Sequence, residues 1–451
     1  MCGIIGTTNL NIHESLIKNS LSSIKNRGLD SSNYIKTSLA ILGANRLAIR
    51  NSSNIYNQPF SINKKHIVYN GEIWDNSLEN DTQFILNSSE YIKNIDGMYA
   101  LCIVDEEKES ITLSRDYIGE IPLYYLIHEN NLYFASEIKA IQYMIPVDVS
   151  NIKLFPPGSI GVWKNNNLEI STWYSMPNSE ILDNKETIIS NFRKLLKESV
   201  SKRLDNKLKP TIMLSGGIDS TIIAFLLKQH YDDLEAFTIH LGDSNKNIKA
   251  NDLYFSREVA KHLKIKLNEI IISEKDVHDN LESSIYTIED QSWTQLSSGI
   301  PHCIMAKHIN KLNYKIVFGG GGSDELFASY PSQKRWQWKD DQYDKARRGL
   351  ILNLHKNNVI RENKCMLSQN VELRSPYLDR RFVEYAINIP IKYRYENKRM
   401  KPILRYAFPE IPEHILWREK ICEGEGVGIE NLVKSLKLDI ISIYNRLFSC
   451  K

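Results

Sequence analysis

The sequence predicts two domains of different fold class: an α+β domain rich in strands, then an α/β domain with a parallel sheet and a mainly helical C-terminal part. Three observations support this prediction. A chain of 451 residues is too long for one ordinary core. Short β-type runs separated by turns dominate up to about residue 175. Beyond residue 185, short apolar runs alternate with segments of helical period.

The first predicted domain, residues 2–175, contains short runs of β-branched, aromatic and aliphatic residues, with Asn, Gly and Asp in the turns between them. These runs are residues 39–42, 67–69, 100–104, 111–113 and 132–135. Residues 176–185 are polar and include Pro177 and Asn178, which is typical of a linker.

The second predicted domain, residues 186–451, shows two alternating patterns. Helical apolar spacing occupies residues 187–202, 220–230 and 255–263, and short apolar runs that predict strands occupy residues 211–214, 236–241 and 315–318. Strands that alternate with helices predict a parallel sheet with crossover helices. After about residue 330 the pattern is mainly helical.

Composition and charge exclude several classes of protein. The formal net charge of +3 is too small to indicate nucleic acid as the main partner. No apolar run reaches the ~18 residues that a membrane span needs, and the N-terminus does not read as a signal peptide. The cysteines show no CxxC pair, which argues against a zinc site or a disulfide framework and favours a cytoplasmic location. They are Cys2, Cys102, Cys303, Cys365, Cys422 and Cys450.

The penultimate residue, Cys2, becomes the first residue if the initiator Met1 is removed. Its thiol and its α-amine would then share one residue. An α-amine has an ordinary pKa of about 7.7–8.0, so it can act as a base near neutral pH and activate the thiol. Taken alone, a cysteine at this position is more often there by chance.

Three turn-flanking segments carry groups suited to an amino-acid substrate. Such a substrate needs a cation for its carboxylate and an anion for its ammonium, which Arg46 and Asp96 could supply. Asn70 and Gly71 follow a predicted strand and offer a side-chain amide and a backbone N–H as oxyanion donors. For each segment taken alone, a surface turn is the simpler interpretation.

The strongest local signal is the strand–turn–helix of residues 210–220. Two glycines let the backbone approach phosphate closely, and the following helix directs its N–H groups at the anion. Ser215 and Ser220 add hydroxyl donors, and Asp219 can hold Mg²⁺. No Gly-Lys-Ser/Thr follows, so this is not a Walker A loop. An ordinary helix N-cap after a strand is the competing interpretation.

The motifs occur in the order found in known enzymes. Residues 1–6 (MCGIIG), 27–30 (RGLD), 45–49 (NRLAI), 69–73 (YNGEI) and 96–100 (DGMYA) resemble class II, N-terminal nucleophile glutamine amidotransferases. Residues 115–116, 122–125 and 134–137 resemble the glutaminase domain of asparagine synthetases in particular. The resemblance implies an N-terminal nucleophile glutaminase sandwich. One departure is Leu29, where the family has Pro.

Residues 215–220 (SGGIDS) resemble the pyrophosphate loop of ATP pyrophosphatases. Further matches to the synthetase domain of asparagine synthetases are residues 256–263, 322–327, 372–379, 403–405, 417–420 and 426–428. The resemblance covers most of the chain, from Cys2 to about Gly428. It implies a doubly wound parallel-sheet ATP pyrophosphatase domain that converts ATP to AMP and pyrophosphate.

The resemblance also implies roles for individual residues. In the glutaminase, Cys2 is the nucleophile, Asn70 and Gly71 form the oxyanion hole, and Arg46, Glu72 and Asp96 bind glutamine. In the synthetase domain, ATP is bound by Leu214, Ser215, Gly216, Gly217, Asp219, Ser220, Ile239 and Gly320. Asp219 and Asp324 hold Mg²⁺, and Lys420 stabilises charge on the phosphates or on the oxyanion.

One loop departs from the family pattern. Gly319 replaces a Ser, and Gly321 replaces a Glu that lies at the synthetase site in the family. A carboxylate there could position an amine or accept a proton as ammonia attacks. The identity of the acceptor therefore stays open.

Four functions follow as hypotheses. The first is asparagine synthetase, which uses glutamine, ATP and aspartate, with a homodimer as the family expectation and neither nucleic acid nor membrane as a partner. The second is a related amidotransferase with another carboxylate acceptor. The third is a binding or regulatory protein with a decayed site, against which the intact residues 215–220 and Asp324 argue. The fourth is intramolecular cyclisation, as in β-lactam synthetases, against which Cys2 counts.

Overall fold

The computed structural model describes residues 1–205, 207–242, 252–330, 339–396, 399–418 and 423–449. The chain divides into two compact units. Unit 1 comprises Met1–Ser175, Asn363–Glu372 and the described part of Ile441–Lys451. Unit 2 comprises the described parts of Met176–Glu362 and Leu373–Ile440.

Unit 1 is built on two antiparallel sheets of six strands each. The strands are β1 (Cys2–Thr7), β2 (Ser31–Lys36), β3 (Ile41–Arg46), β4 (Phe60–Ile62), β5 (Lys65–Ile73), β6 (Gly97–Asp105), β7 (Ser110–Arg115), β8 (Tyr124–His128), β9 (Asn131–Ala135), β10 (Lys153–Leu154), β11 (Ser159–Lys164) and β12 (Asn167–Thr172). The first sheet has the order β10-β8-β9-β1-β3-β2, and the second has the order β12-β11-β7-β6-β5-β4.

Helices cover both sheets of unit 1. They are α1 (Glu14–Ser23), α2 (Asp81–Asn87) and α3 (Ile138–Met144). Helices α1 and α3 pack on the first sheet around Ile5, Leu21 and Ile141, all at most 4% exposed. Helix α2 packs on the second sheet, and β1 contacts β5 between the sheets. The central strands are therefore buried on both faces, and the α+β sandwich predicted for this region is confirmed.

Unit 2 is an α/β structure around a five-stranded sheet. Its strands are β13 (Thr211–Met213), β14 (Glu235–Leu241), β15 (Lys266–Ile272), β16 (Ile316–Phe318) and β17 (Glu372–Arg374), of which Glu372 is assigned to unit 1. A separate antiparallel pair is formed by β18 (Tyr395–Glu396) and β19 (Arg399–Met400). The order is β15-β14-β13-β16-β17, and the pairs from β15 to β16 are parallel. This is the order of a doubly wound sheet, with a topological switch between β13 and β16.

The helices of the second half include crossovers and a helical C-terminal part, as predicted. They are α4 (Lys185–Lys202), α5 (Ile218–Lys228), α6 (Asp252–Leu263), α7 (Glu274–Ile288), α8 (Trp293–Lys311), α9 (Ser323–Leu326), α10 (Asp340–Asn353), α11 (Asn358–Leu367), α12 (Arg380–Ala386), α13 (Pro402–Ala407), α14 (Glu413–Leu416), α15 (Glu423–Val427), α16 (Glu430–Ser435) and α17 (Lys437–Phe448). No helix in the described ranges is long and apolar enough to span a membrane.

The switch point fixes where ligands bind in unit 2. In open parallel sheets, ligands bind outside the carboxyl ends of the strands where the strand order reverses. The loop after β13 begins at Leu214, and the loop after β16 begins at Gly319. Because β13 and β16 are neighbours, the sheet brings the predicted phosphate loop and the glycine-rich loop together.

Candidate active sites

In unit 1, two buried strands place the predicted nucleophile beside the predicted oxyanion donors. Cys2 starts β1, opposite Arg46 at the end of β3, and is 4% exposed. Its backbone N–H donates to Asn70 Oδ1 at 2.8 Å, which joins β1 to β5. The Cys2 thiol accepts from Gln58 Nε2 at 3.5 Å, and Gln58 also accepts from the Tyr69 N–H at 2.6 Å. The thiol is thus held from a second side by a side chain that the sequence did not single out.

The terminal amine of the chain belongs to Met1 and is buried. It donates to the carboxylate of Glu372 at 3.1 Å and to the Leu47 carbonyl at 3.5 Å. Burial alone would lower the pKa of this ammonium, but the Glu372 carboxylate outweighs it and raises the pKa above its ordinary value. The amine that the sequence assigns to Cys2 therefore requires removal of Met1.

Asn70 and Gly71 have the properties of an oxyanion site. The Asn70 side chain is fully buried, and its Nδ2 has no hydrogen-bond acceptor within the described part of the chain. A buried amide donor without an acceptor is costly, which is expected where a substrate oxygen supplies one. A Cβ built on Gly71 would lie 2.2 Å from the Met98 carbonyl oxygen, so only glycine fits between β5 and β6.

The predicted glutamine-binding residues have different surroundings. Arg46 donates to the Ser53 carbonyl and to Asn57, each at 3.0 Å, and burial lowers its pKa. Glu72 accepts two hydrogen bonds from Arg50, at 2.7 and 3.1 Å. Arg46, Glu72 and Arg50 line a cavity of about 50 Å³ with Cys2 and Gly71. Arg50 was not predicted from the sequence, although its position four residues after Arg46 on the same segment is a signal.

Asp96 does not lie with this group. It is exposed in the loop before β6, and its carbonyl accepts from the Trp74 N–H at 2.8 Å. It is absent from the lining of the cavity as far as the described residues define it. Its role in binding glutamine stays a prediction.

Unit 2 holds a cavity of about 710 Å³ at the switch point of its sheet. The predicted residues that line it are Leu214, Ser215, Gly217, Asp219, Ser220, Ile239, Gly320 and Asp324. Gly216 does not line it but has a φ of +69°, and a Cβ there would lie 2.5 Å from the backbone of Phe255 and Ser256. This glycine lets the loop turn against the start of α6, and its neighbours face the cavity.

The phosphate loop is held by its own hydroxyl groups. Ser215 Oγ and Ser220 Oγ lie 3.2 Å apart, and the Gly217 N–H donates to Ser215 Oγ at 3.3 Å. Gly217 is the N-cap of α5, so the first N–H groups of an eleven-residue helix face the cavity. This arrangement suits the binding of an anion such as phosphate.

Two carboxylates and a lysine form a charged cluster in the same cavity. Lys401 Nζ contacts Asp219 Oδ1 and Oδ2 at 2.8 and 2.7 Å, and Asp324 Oδ1 at 2.7 Å. The Asp219 carboxylate also accepts from Ser323 Oγ at 2.7 Å. Three carboxylate oxygens thus converge on one cation. A divalent ion could be bound here by these oxygens together with the oxygens of substrate phosphates.

Lys401 was missed by sequence reasoning. It precedes Pro402 and has a φ of +59°, in the left-handed region that a lysine rarely adopts. It is 2% exposed. The sequence signal for Lys401 is its position two residues before the motif of residues 403–405, which could have marked it as part of that motif.

Other charged side chains line the cavity of unit 2. Arg418 donates to the Ser215 carbonyl at 3.0 Å and pairs with Asp252. Burial lowers the pKa of Arg405 to about 10. Burial, together with the charge of Asp324, raises the pKa of Glu325, which accepts a hydrogen bond from Tyr330. The predicted Lys420 lies outside the described residues.

Comparison with known proteins identifies the family of this chain. A family model described as "Asparagine synthase" matches residues 191–353 and 339–438. Two models described as "Glutamine amidotransferase domain" match residues 1–83 and 44–143. The asparagine synthetase B [glutamine-hydrolyzing] of Escherichia coli (strain K12) is 30% identical, over 90% of this chain and 78% of that protein. The chain belongs to the asparagine synthetase family.

Other members of the asparagine synthetase family match over similar lengths. Asparagine synthetase [glutamine-hydrolyzing] 3 of Arabidopsis thaliana is 29% identical, over 95% of this chain and 79% of that protein. A putative asparagine synthetase [glutamine-hydrolyzing] 1 of Methanocaldococcus jannaschii is 29% identical, over 80% of this chain and 71% of that protein. The family resemblance inferred from the motifs is confirmed, and the roles of the individual residues remain to be tested.

Proposed function

We propose that this chain is a glutamine-hydrolysing asparagine synthetase, which forms asparagine, glutamate, AMP and pyrophosphate from glutamine, aspartate and ATP. The observation that carries the proposal is the cavity of unit 2. There the phosphate loop, the start of α5 and the cluster of Asp219, Asp324 and Lys401 meet at the switch point of a doubly wound sheet. Family membership supports the same reaction.

In unit 1, Cys2 acts as the nucleophile once Met1 has been removed. The α-amine takes the thiol proton, and the sulfur attacks the side-chain amide carbon of glutamine. The Asn70 amide and the Gly71 N–H donate to the oxyanion as it forms. Ammonia leaves, and water hydrolyses the thioester to release glutamate.

In unit 2, the phosphates of ATP bind at residues 215–220 and at the N-terminus of α5. The aspartate side-chain carboxylate attacks the α-phosphorus, and pyrophosphate leaves. Lys401 stabilises the charge that develops on the departing group, because its ammonium lies among the residues of the phosphate site. Ammonia then displaces AMP from the adenylate.

Asp219 and Asp324 fit a magnesium site. Within the described ranges no three His, Cys, Asp or Glu residues form a metal-binding group by themselves, so the pair would hold Mg²⁺ together with ATP phosphates. Bound Mg²⁺ would offset negative charge on the phosphates. The same proposal assigns Lys420 to charge stabilisation.

We also propose a location, an oligomeric state and domain bounds for the enzyme. The enzyme acts in the cytoplasm, since its scattered cysteines show no disulfide pattern. It forms a homodimer, as the family resemblance implies. Residues 2–175 carry the glutaminase and residues 186–451 the synthetase, with 176–185 as the linker.

The first test is formation of AMP from ATP–Mg²⁺ and glutamine, with and without aspartate. We expect aspartate-dependent AMP and an equal amount of asparagine. A second candidate function, amidation of another carboxylate, is favoured by Gly319 and Gly321, which lack the side chains that the family carries there. AMP formation that does not respond to aspartate would reject the first function in favour of the second.

A further inference from the structure

Gly321 and Glu362 compete for one position in the cavity of unit 2. Both residues line the cavity, and Glu362 lies in α11, far from Gly321 in sequence. A Cβ built on Gly321 would lie 2.8 Å from Glu362 Oε2. A side chain at position 321 and the carboxylate of Glu362 therefore cannot both keep these positions. With glycine at position 321, the carboxylate from α11 lies directly against the loop after β16.

Glu362 is held at this position by its surroundings. It is 9% exposed, and its Oε1 lies 3.7 Å from Arg361 Nη2. Arg361 is fixed in turn, since its Nη1 donates to Gln295 Oε1 at 2.9 Å and to Asn358 Oδ1 at 3.0 Å. Oε2 is the oxygen that faces residues 319–322, the glycine loop that follows β16.

The other acidic side chains that line the cavity have different surroundings. Asp219 and Asp324 contact Lys401, and Asp252 pairs with Arg418. Glu325 accepts hydrogen bonds from Asn358 and Tyr330. Glu425 is exposed and Glu430 is half-buried. Among the described residues, the Glu362 carboxylate is the group that a side chain at position 321 would meet.

The second step of the proposed reaction needs a proton acceptor. The nitrogen lone pair of ammonia attacks the acyl carbon of the adenylate, a C–N bond forms, and the new nitrogen carries a positive charge. One N–H proton must leave before or as the C–O bond to AMP breaks, because the stable product is a neutral amide. A carboxylate close to the attacked carbon can take that proton.

We propose that Glu362 is the base that takes the proton from the attacking ammonia. The proton passes to the Glu362 carboxylate, the bonding pair returns to nitrogen, AMP leaves with the C–O electron pair, and the carboxylic acid later releases the proton to water. In this chain α11 supplies the carboxylate that the glycine loop lacks. The inference rests on the proposed function, because it concerns the adenylate that this function forms.

The test uses the full chain with ammonia as the nitrogen donor, so that Cys2 takes no part. Wild-type enzyme should form one asparagine per AMP. Glu362→Gln keeps the size of the side chain, and we expect asparagine formation to fall by about 100-fold. Aspartate-dependent exchange of pyrophosphate into ATP should stay within about twofold of wild type, because adenylation does not use this base. AMP should then exceed asparagine as unused adenylate is hydrolysed.

Two further variants separate catalysis from folding. Glu384→Gln changes a half-buried glutamate of α12 that pairs with Arg380 and does not line the cavity, and it should leave both rates unchanged. Gly321→Glu combined with Glu362→Ala moves the carboxylate from the helix to the loop. It should form asparagine at least about tenfold faster than Glu362→Ala alone.

Asparagine formation at the wild-type rate in Glu362→Gln would overturn the proposal, as would an equal loss of exchange and amidation. If the double variant forms asparagine no faster than Glu362→Ala, a carboxylate on the loop cannot replace the carboxylate on α11, and that part of the proposal is overturned. Absence of aspartate-dependent exchange in the wild type would reject the proposed function itself, and the inference with it, before any variant is made.

Discussion

The two cavities differ in how their charged side chains are arranged. In unit 1, Glu72 accepts hydrogen bonds from Arg50, Arg46 donates to the Ser53 carbonyl and to Asn57, and the cavity measures only about 50 Å³. In unit 2, the motif residues face a cavity of about 710 Å³, and its charges meet at the phosphate loop. To bind in the first site, an amino acid must displace hydrogen bonds that Arg46, Arg50 and Glu72 already make within the protein. The second site has room for a nucleotide.

The largest expected effect breaks the first site alone. Cys2→Ala removes the nucleophile, and we expect glutamine-dependent amidation to fall by a factor on the order of 10⁴ or more. Amidation with free ammonia should be unchanged, because the cavity of unit 2 is intact. The control is Cys102→Ala, since burial raises the pKa of the Cys102 thiol well above its ordinary value and makes it unreactive. Equal loss with both nitrogen donors would contradict two separate sites.

The reciprocal change breaks the second site. Asp219→Ala removes two of the three carboxylate oxygens that contact Lys401, and leaves a buried ammonium with one partner. We expect AMP formation to fall by about 10³-fold and basal glutaminase activity to persist. Product assays for AMP and glutamate measure both. Undiminished AMP formation would remove Asp219 from the proposed Mg²⁺ site.

The stability of unit 1 should decrease as the pH falls, because of the carboxyl group of Glu137. Burial alone would raise the pKa of this carboxyl, but the cations of Lys139, Arg27 and Lys364 outweigh it and lower the pKa to about 2. The stabilisation is present above the ordinary value of 4.5 and is lost as the pH falls towards 2. We expect a loss of about 3 kcal/mol of unfolding free energy over this range.

Denaturant unfolding at a series of pH values measures this dependence. Glu137→Gln should be less stable than wild type at neutral pH and should lose the part of the acid dependence that Glu137 causes. Glu106→Gln serves as a comparison variant, because hydrogen bonds from Ser38 lower the pKa of the half-buried Glu106 to about 2 as well. Identical pH curves for wild type and Glu137→Gln would rule out this source of stability.

The smallest expected effect sharpens the contrast between the cavities. Arg50→Met removes the cation that pairs with Glu72, so the ammonium of glutamine would no longer compete with it. We expect KM for glutamine to fall about fivefold, which corresponds to about 1 kcal/mol. Arg50→Lys keeps the charge and should stay near the wild-type KM. A raised KM in Arg50→Met would show that Arg50 helps to bind glutamine.

Much of the fold could be predicted because its signals are local. Strands β13, β14 and β16 and helices α4, α5 and α6 appear as apolar runs or helical spacing in the sequence. Strand β15 was missed, because it is partly exposed and its sequence, KLNEIII, does not alternate cleanly. The later segments of unit 1 were also missed, since nothing in a linear pattern shows which unit a short helix joins.

The site residues also fall into those that a local motif predicts and those that it does not. Cys2, Asn70, Gly71 and residues 215–220 lie in contiguous motifs whose chemistry is visible in order. Lys401 and Glu362 reach the cavity of unit 2 from distant segments, so the fold is needed to place them in the site. Asp96 was chosen for its carboxylate, but its exposed loop keeps it away from the lining of the first cavity within the described residues.

Unit 1 is formed from segments that are far apart in the sequence, and this has a consequence for its synthesis. Arg27 Nη2 donates to Asn363 at 2.9 Å, Lys364 Nζ donates to Tyr124 Oη at 3.1 Å, and Gln142 Nε2 donates to the Phe448 carbonyl at 3.0 Å. All six residues belong to unit 1. A nascent chain that has emerged to residue 175 lacks half of these partners, and domains otherwise tend to fold from the N-terminus as they are made.

The last residue assigned to unit 2 is Ile440, whereas unit 1 includes the described residues 441–449. The unit that contains the first described residues is therefore also the one that contains the last, and its fold is completed only after unit 2 has been synthesised.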